Sequence, residues 1–214
     1  MTTRTEQEQI ELFATWWKEN GTFLVVGVIV LLLSYFGWTT WQSQQQAQAA
    51  KASAIFQQII DQQNGKASDK PAASIKELAD QLKKDYTNTY YGQALHLLLA
   101  EDAVKNGDLV SAENELTALV AQKPKDTLAF TARLRLGRVL YAEGKYDAAI
   151  IQLAPDVPAA YRSLFAELRG DVLVAQKQVV RARESYTEAL SALPKDSSEQ
   201  KETLEMKLNS LPAQ

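Results

Sequence analysis

A chain of 214 residues, 46% hydrophobic and only 8% aromatic, leaves room for one ordinary domain beside a membrane segment. Its formal charge of -3 divides into 2 basic and 4 acidic residues through Glu19 and 21 basic and 22 acidic residues thereafter, so neither part carries the basic footprint of a nucleic-acid binder. The absence of cysteine excludes a disulfide framework and thiolate ligation. The wealth of Ala, Leu, Gln and Glu, with almost no Val/Ile/Thr-rich alternation outside one run, predicts an all-α protein.

From Asn20 to Ala50 no residue carries a charge, and Phe23 to Trp38 is apolar except for Ser34. A helix needs about 20 residues to cross the hydrocarbon core, and residues 22–41 supply them. Trp16, Trp17, Trp38 and Trp41, the only tryptophans, bracket this run and are expected to anchor it in the two headgroup layers of a lipid bilayer. A cleavable signal peptide competes, because Ala47-Gln48-Ala49 has the small-residue form of a cleavage site. The long acidic tail before the run, the length of the run and the distance of that site from its end all favour a retained span. Arg4 and Lys18 before the span against Lys51 after it favour a cytoplasmic N-terminus. Residues 1–21 then form a short cytoplasmic tail, and everything beyond Trp41 lies across the membrane, in a periplasm.

Residues 42–71 are expected to form a helical stalk and linker. Gln42 to Gln63 has helix-forming composition and continues the span outward until Asn64-Gly65, and Gly65 to Pro71 is a polar turn. The repeat domain then occupies residues 72–214. Its first helix, Ala72 to Lys84, puts Ile75, Leu78, Ala79 and Leu82 on one stripe. Three similar segments follow, approximately 93–126, 130–160 and 163–196. Leu99-Ala100, Leu136-Gly137 and Gly170 open corresponding positions, and Ala112, Ala149 and Ala182 recur 37 and 33 residues apart. These offsets bracket the 34-residue period of tetratricopeptide repeats, an α-solenoid architecture. Small residues at those positions let paired helices approach closely. Gly107 and Gly144 are placed to cap the first helices in the left-handed conformation. Pro155 is expected to cut the second helix of the middle repeat short, and residues 198–210, with Leu204 and Leu208 on one side, form a C-terminal capping helix.

The layout and local wording resemble the YfgM-type ancillary subunit of the SecYEG translocon, a family of single-span inner-membrane proteins of proteobacteria. The likeness covers nearly the whole chain. It is carried by Glu19-Asn20-Gly21 before the span, Gly37-Trp38 and Trp41 at its far end, and Gln45 leading into an Ala-rich helix. Further on come Asn88-Thr89-Tyr90, Ala132-Arg133-Leu134-Arg135-Leu136, Leu168-Arg169-Gly170-Asp171 and Met206-Lys207-Leu208-Asn209, in shared order. The resemblance implies a bacterial inner-membrane location and a periplasmic repeat domain. It also implies association with SecYEG, with the membrane-anchored periplasmic chaperone PpiD and with nascent secreted chains. The short N-terminal tail departs from the family pattern.

Nothing in the residues points to catalysis or to a cofactor. His96 is the only histidine, set in an apolar helix, and Glu101 and Asp102 are adjacent, so about 100° apart on a helix, and do not converge. No glycine loop follows a strand to cradle phosphate. The expected function is a non-enzymatic scaffold at the translocon that aids periplasmic chaperoning; the alternative is a membrane-tethered regulator of a stress-signalling pathway. Counting along the first helix of each repeat, the expected protein-binding face offers Leu97, Glu101, Leu134, Arg135, Arg138, Tyr141, Leu164, Leu168 and Asp171. Clamps for an acidic C-terminus use Lys and Asn where this chain has Leu97 and Glu101, which disfavours that mode. Arg135 and Arg138 share a helix face and, with Arg133, are candidates for an acidic partner or for pairing inside the domain.

Overall fold

The first proline of the chain is Pro71, so no residue upstream lacks a backbone donor, and Glu6–Gln63 forms one uninterrupted 58-residue helix, α1. The structure, a computed structural model, describes residues 6–63, 65, 74–154 and 157–212. These divide into two units, one through Ala54 and one from Ile55 onward.

The first unit is helix α1 as far as Ala54. Among the described residues this is the one helix long and apolar enough to cross a membrane. Its large side chains from Phe23 to Trp41 are uncovered, with Phe23 80% and Leu31 70% exposed, as a lipid-facing surface requires and a water-soluble core helix does not permit. Ser34 Oγ donates to the Val30 carbonyl at 2.8 Å and Thr39 Oγ1 to Phe36 at 3.0 Å, so both hydroxyls are satisfied by their own helix. The tryptophans form two aromatic groups: Phe13 stacks on Trp17 with centroids 6.1 Å apart, and Trp38 lies 5.4 Å from Trp41. Ala47 to Ala49 lie within the same continuous helix.

The second unit takes in the end of α1 and eight further helices: α2 (Ile75–Asp85), α3 (Tyr90–Lys105), α4 (Leu109–Ala121), α5 (Asp126–Ala142), α6 (Tyr146–Leu153), α7 (Ala159–Ala175), α8 (Val179–Ser191) and α9 (Ser198–Asn209). No strand occurs among the described residues. Helix α3 packs on α4, α5 on α6 and α7 on α8, and each pair stacks on the next through α4 with α5 and α6 with α7; α9 closes the end against α8. Most of the expected polar turn, residues 66–71, and the Pro155-Asp156 break lie outside the described residues. Helix α6 does stop at Leu153 after 8 residues, where α4 and α8 run for 13.

Local chemistry sets the starts and turns. Ser74 Oγ accepts from the Glu77 amide at 3.2 Å while Glu77 Oε2 accepts from the Ser74 amide at 2.8 Å, a reciprocal cap for α2. Thr89 and Asp108 accept from the Gly92 and Ser111 amides to cap α3 and α4. Helices α3, α5 and α7 each end in the same turn, with the amide of the left-handed residue bonding to the carbonyl three residues back and the next amide to the one five back. Gly107 and Gly144 take that left-handed position at φ +77° and +76°. In the third turn Lys177 holds it at φ 61°, which sequence inspection does not reveal.

Within each pair the helices meet at small residues. Ala112, Ala149 and Ala182 are fully buried, and Ala100, Gly137 and Gly170 occupy the facing first helices. A Cβ at Gly170 would stand 2.4 Å from the Tyr186 ring, and one at Gly137 would stand 3.2 Å from Leu153 Cδ2. Gly170→Ala is therefore expected to destabilise the repeat unit by about 1–3 kcal/mol through forced displacement of the ring. Lys177→Gly is expected to stabilise it by up to about 1 kcal/mol by relieving the left-handed backbone. Urea denaturation of the full chain in detergent, followed by circular dichroism, measures both.

Candidate protein-interaction surface

A row of first helices is the expected place for a partner, and the structure sorts its residues into four groups. Leu134 and Leu168 are 6% and 7% exposed and belong to the core cluster that also holds Leu116, Leu153 and Phe165. They face the neighbouring helices, so a partner meets them only if the domain opens. Leu97, Tyr141 and Leu164 are partly buried and pack against that cluster from its edge. Glu101, Arg135 and Arg138 come together with open space between them.

That space is a groove of about 430 Å³ between α3 and α5. Glu101 and Val104 form its α3 wall, and Arg135, Arg138 and Ala142 form its α5 wall. Ala100, Leu116 and Val139 provide an apolar floor. Glu101 accepts from Lys105 at 2.8 Å and pairs with Arg135 at 3.5 Å. The hydrogen bond and the charge of Lys105, assisted by Arg135, hold the Glu101 carboxyl below its ordinary value. Arg138 is exposed and makes no hydrogen bond or ion pair among the described residues. Val104, 46% exposed, and Ala142 are lining residues that the sequence did not single out. An aliphatic residue in the last turn of a helix looks the same in sequence whether it faces a core or a groove.

The remaining charged candidates are consumed inside the unit. Arg133 Nη2 donates to the Gln152 carbonyl at 2.6 Å, and its guanidinium lies 5.7 Å from the Phe165 ring centroid, so it ties α5 to α6 and α7. Asp171 accepts from Tyr186 OH at 2.8 Å and from Lys207 Nζ at 2.9 Å, and Lys207 also reaches Glu167 at 2.7 Å. This network fastens the capping helix α9 to α7 and α8. Burial first, and then the Asp171 carboxylate, holds the Tyr186 phenol far above its ordinary range. Among the described residues no three His, Asp or Glu side chains converge as metal ligands would.

Paired helices stacked in a single array, joined by repeating turns and preceded by one uncovered apolar helix, define a membrane-span-bearing protein of the tetratricopeptide-like class. Residues 14–213 match the family model described as a tetratricopeptide repeat-like domain. A Neisseria gonorrhoeae protein is 31% identical over 206 residues, 96% of this chain and 97% of its own. A Haemophilus influenzae protein is 30% identical over 96% of this chain and 97% of its own, and an Escherichia coli protein 29% identical over 96% of each. All three carry the name ancillary SecYEG translocon subunit. The chain belongs to that family.

His96, the lone histidine, is 6% exposed and belongs to a network that joins α2, α3 and α4. Its Nδ1 lies 2.7 Å from Glu115 Oε2, its Nε2 lies 2.9 Å from Gln122 Nε2, and Lys83 Nζ donates to Glu115 Oε1 at 2.6 Å. Burial raises the Glu115 pKa, but the bonds to His96 and Lys83 outweigh it, and the net displacement is below the usual 4.5. A carboxyl depressed in the folded state stabilises above its unfolded pKa and loses that contribution as pH falls through its folded value. Glu115→Gln is expected to cost about 1–3 kcal/mol at pH 7. The gap to the unaltered chain should close as the pH of the denaturation measurement falls through the depressed folded value of the Glu115 carboxyl, below its ordinary 4.5.

Proposed function

We propose that this protein is a non-enzymatic, membrane-anchored scaffold of the SecYEG translocon. Residues 22–41 span the inner membrane, residues 1–21 face the cytoplasm, and residues 72–214 are periplasmic and hold partner proteins along the first-helix row. The repeat unit brings the chaperone PpiD to the exit side of the translocon, where nascent secreted chains emerge.

The observation that carries this reading is the extent of the likeness: relatives named for the translocon align over 96% of the chain, span included. Physical features support it independently. Helix α1 exposes a continuous apolar surface bracketed by Trp16, Trp17, Trp38 and Trp41, as a bilayer anchor does. The weak excess of basic residues before the span supports the cytoplasmic N-terminus. An array of stacked helix pairs supplies an extended surface for protein partners.

Protease added to intact spheroplasts should digest the repeat unit and leave a membrane-protected N-terminal fragment. Affinity purification of the full chain from detergent-solubilised membranes should recover SecYEG and PpiD. A repeat unit protected until the inner membrane is broken would refute the periplasmic assignment. Recovery of neither partner would refute the scaffold.

A further inference from the structure

The floor and the rim of the groove between α3 and α5 ask different things of an occupant. Ala100, Leu116 and Val139 are 2%, 1% and 5% exposed and offer only apolar surface, with Val104 standing open above them. At the rim, the charge of Glu101 is already matched by Lys105, and neighbouring Asp102 accepts from Asn106. Arg135 touches Glu101 only at 3.5 Å, and Arg138 touches no other charged group among the described residues. Lys105, Arg135 and Arg138 against Glu101 and Asp102 leave the rim with one positive charge in excess, and Arg138 is the group without a partner, within a second unit that as a whole has 20 basic and 22 acidic residues.

We propose that this groove holds an acidic, apolar segment of a partner protein. One side-chain carboxylate of that segment sits between Arg135 and Arg138, and a neighbouring aliphatic side chain rests on Val104 and Val139. The proposal rests on the scaffold reading above and adds the chemistry of what the scaffold grips. Arg135 and Arg138 are three residues apart on α5, which puts their stems about 5–6 Å apart on one face, close enough for one carboxylate to reach both. The planar guanidinium donates two parallel hydrogen bonds to a carboxylate, a geometry lysine lacks. A free inorganic anion would satisfy the rim and leave the apolar floor wet, whereas a segment that alternates acidic and aliphatic side chains satisfies both. A space of about 430 Å³ admits a few side chains of one segment and not a folded domain.

The test uses the full chain in nanodiscs with photoreactive benzoylphenylalanine placed at Val104 or, as a control, at Ile151, which is 69% exposed on α6. The probe is a fluorescent peptide of alternating leucine and glutamate, with its leucine and glutamine counterpart. The glutamate peptide should bind and crosslink at position 104 and not at 151, and the glutamine peptide should bind about tenfold more weakly or worse. Arg138→Glu should lose about tenfold or more in affinity with an unchanged circular dichroism spectrum, and Arg138→Lys should lose less. Equal binding of the two peptides, or an Arg138→Glu chain that binds as before, overturns the proposal. So does displacement of the peptide by inorganic phosphate, which makes the groove an anion site, or a dimer of the full chain that Arg138→Glu dissolves, which makes the occupant a second copy. Purification of SecYEG with the unaltered chain is scored separately, so that loss of the translocon reading and loss of the groove are distinguishable.

Discussion

The close crossing of each helix pair at small residues is the contact on which the rest of the repeat unit depends. Ala112, Ala149 and Ala182 have no solvent exposure, and the first helices carry Ala100, Gly137 and Gly170 at corresponding positions. The distance between packed helices follows from the side chains at the contact, and small ones let the axes approach more closely. Four residues further along each second helix stands a large side chain, Leu116, Leu153 or Tyr186, and those of Leu153 and Tyr186 lie against Gly137 and Gly170 of the first helices. The Tyr186 ring occupies the place where a Cβ of residue 170 would be, so the glycine and the tyrosine are two halves of one fit. Once each pair is closed in this way, the turns bring the chain back in register and the pairs stack. The first helices then line up in a row, with the α3/α5 groove as its open point.

Much of this was legible in the residues. The recurrence of small residues and the glycines at 107 and 144 announced paired helices, and the uncharged run from Asn20 to Ala50 announced a long apolar helix that the rest of the chain leaves uncovered. What stayed hidden was the direction each first-helix residue faces. A first helix in a stacked array touches its own partner and the pairs on either side, so apolar residues at neighbouring positions are divided between core and surface by the packing angle. Leu134 and Leu168 fell on the core side, and Val104 on the open side. Lys177 stayed hidden for a different reason: the closing amide bonds of its turn are backbone bonds, and they hold a lysine in a conformation that side-chain identity argues against. The Asp171, Tyr186 and Lys207 network joins residues 36 positions apart, a pairing that no local spacing reveals.

The three arginines of α5 show how environment assigns different work to one residue type. Arg133 is drawn inward by the carbonyl of Gln152 at the truncated end of α6, and burial lowers its pKa. The last carbonyls of any helix lack helical partners, and an arginine reaching across from α5 satisfies one of those of α6. Arg135 has a weak partner in Glu101, and Arg138 has none among the described residues. Side-chain entropy and hydration keep an exposed arginine mobile until a partner offers a better set of acceptors. A gradient from tied to free along about one and a half turns of one helix thus separates structural from available charge.

The division of the tryptophans has a consequence for how anchoring and partner binding relate. All four lie in α1, and the repeat unit from Ile55 onward has none. Apolar and aromatic surface in the first unit is continuous and uncovered, whereas in the second most large apolar side chains are spent on the helix contacts, those left exposed, such as Val110, Ile151 and Val180, stand on separate helices, and the groove is mixed and flanked by charge. The first kind of surface is non-directional, suited to lipid, where burial of apolar area is what matters. The second is directional, because a guanidinium rewards only an acceptor placed within its plane. Anchoring and selection of a partner therefore draw on different physical interactions in different residues. Salt, which screens exposed charges and leaves apolar burial largely untouched, acts on the second and spares the first.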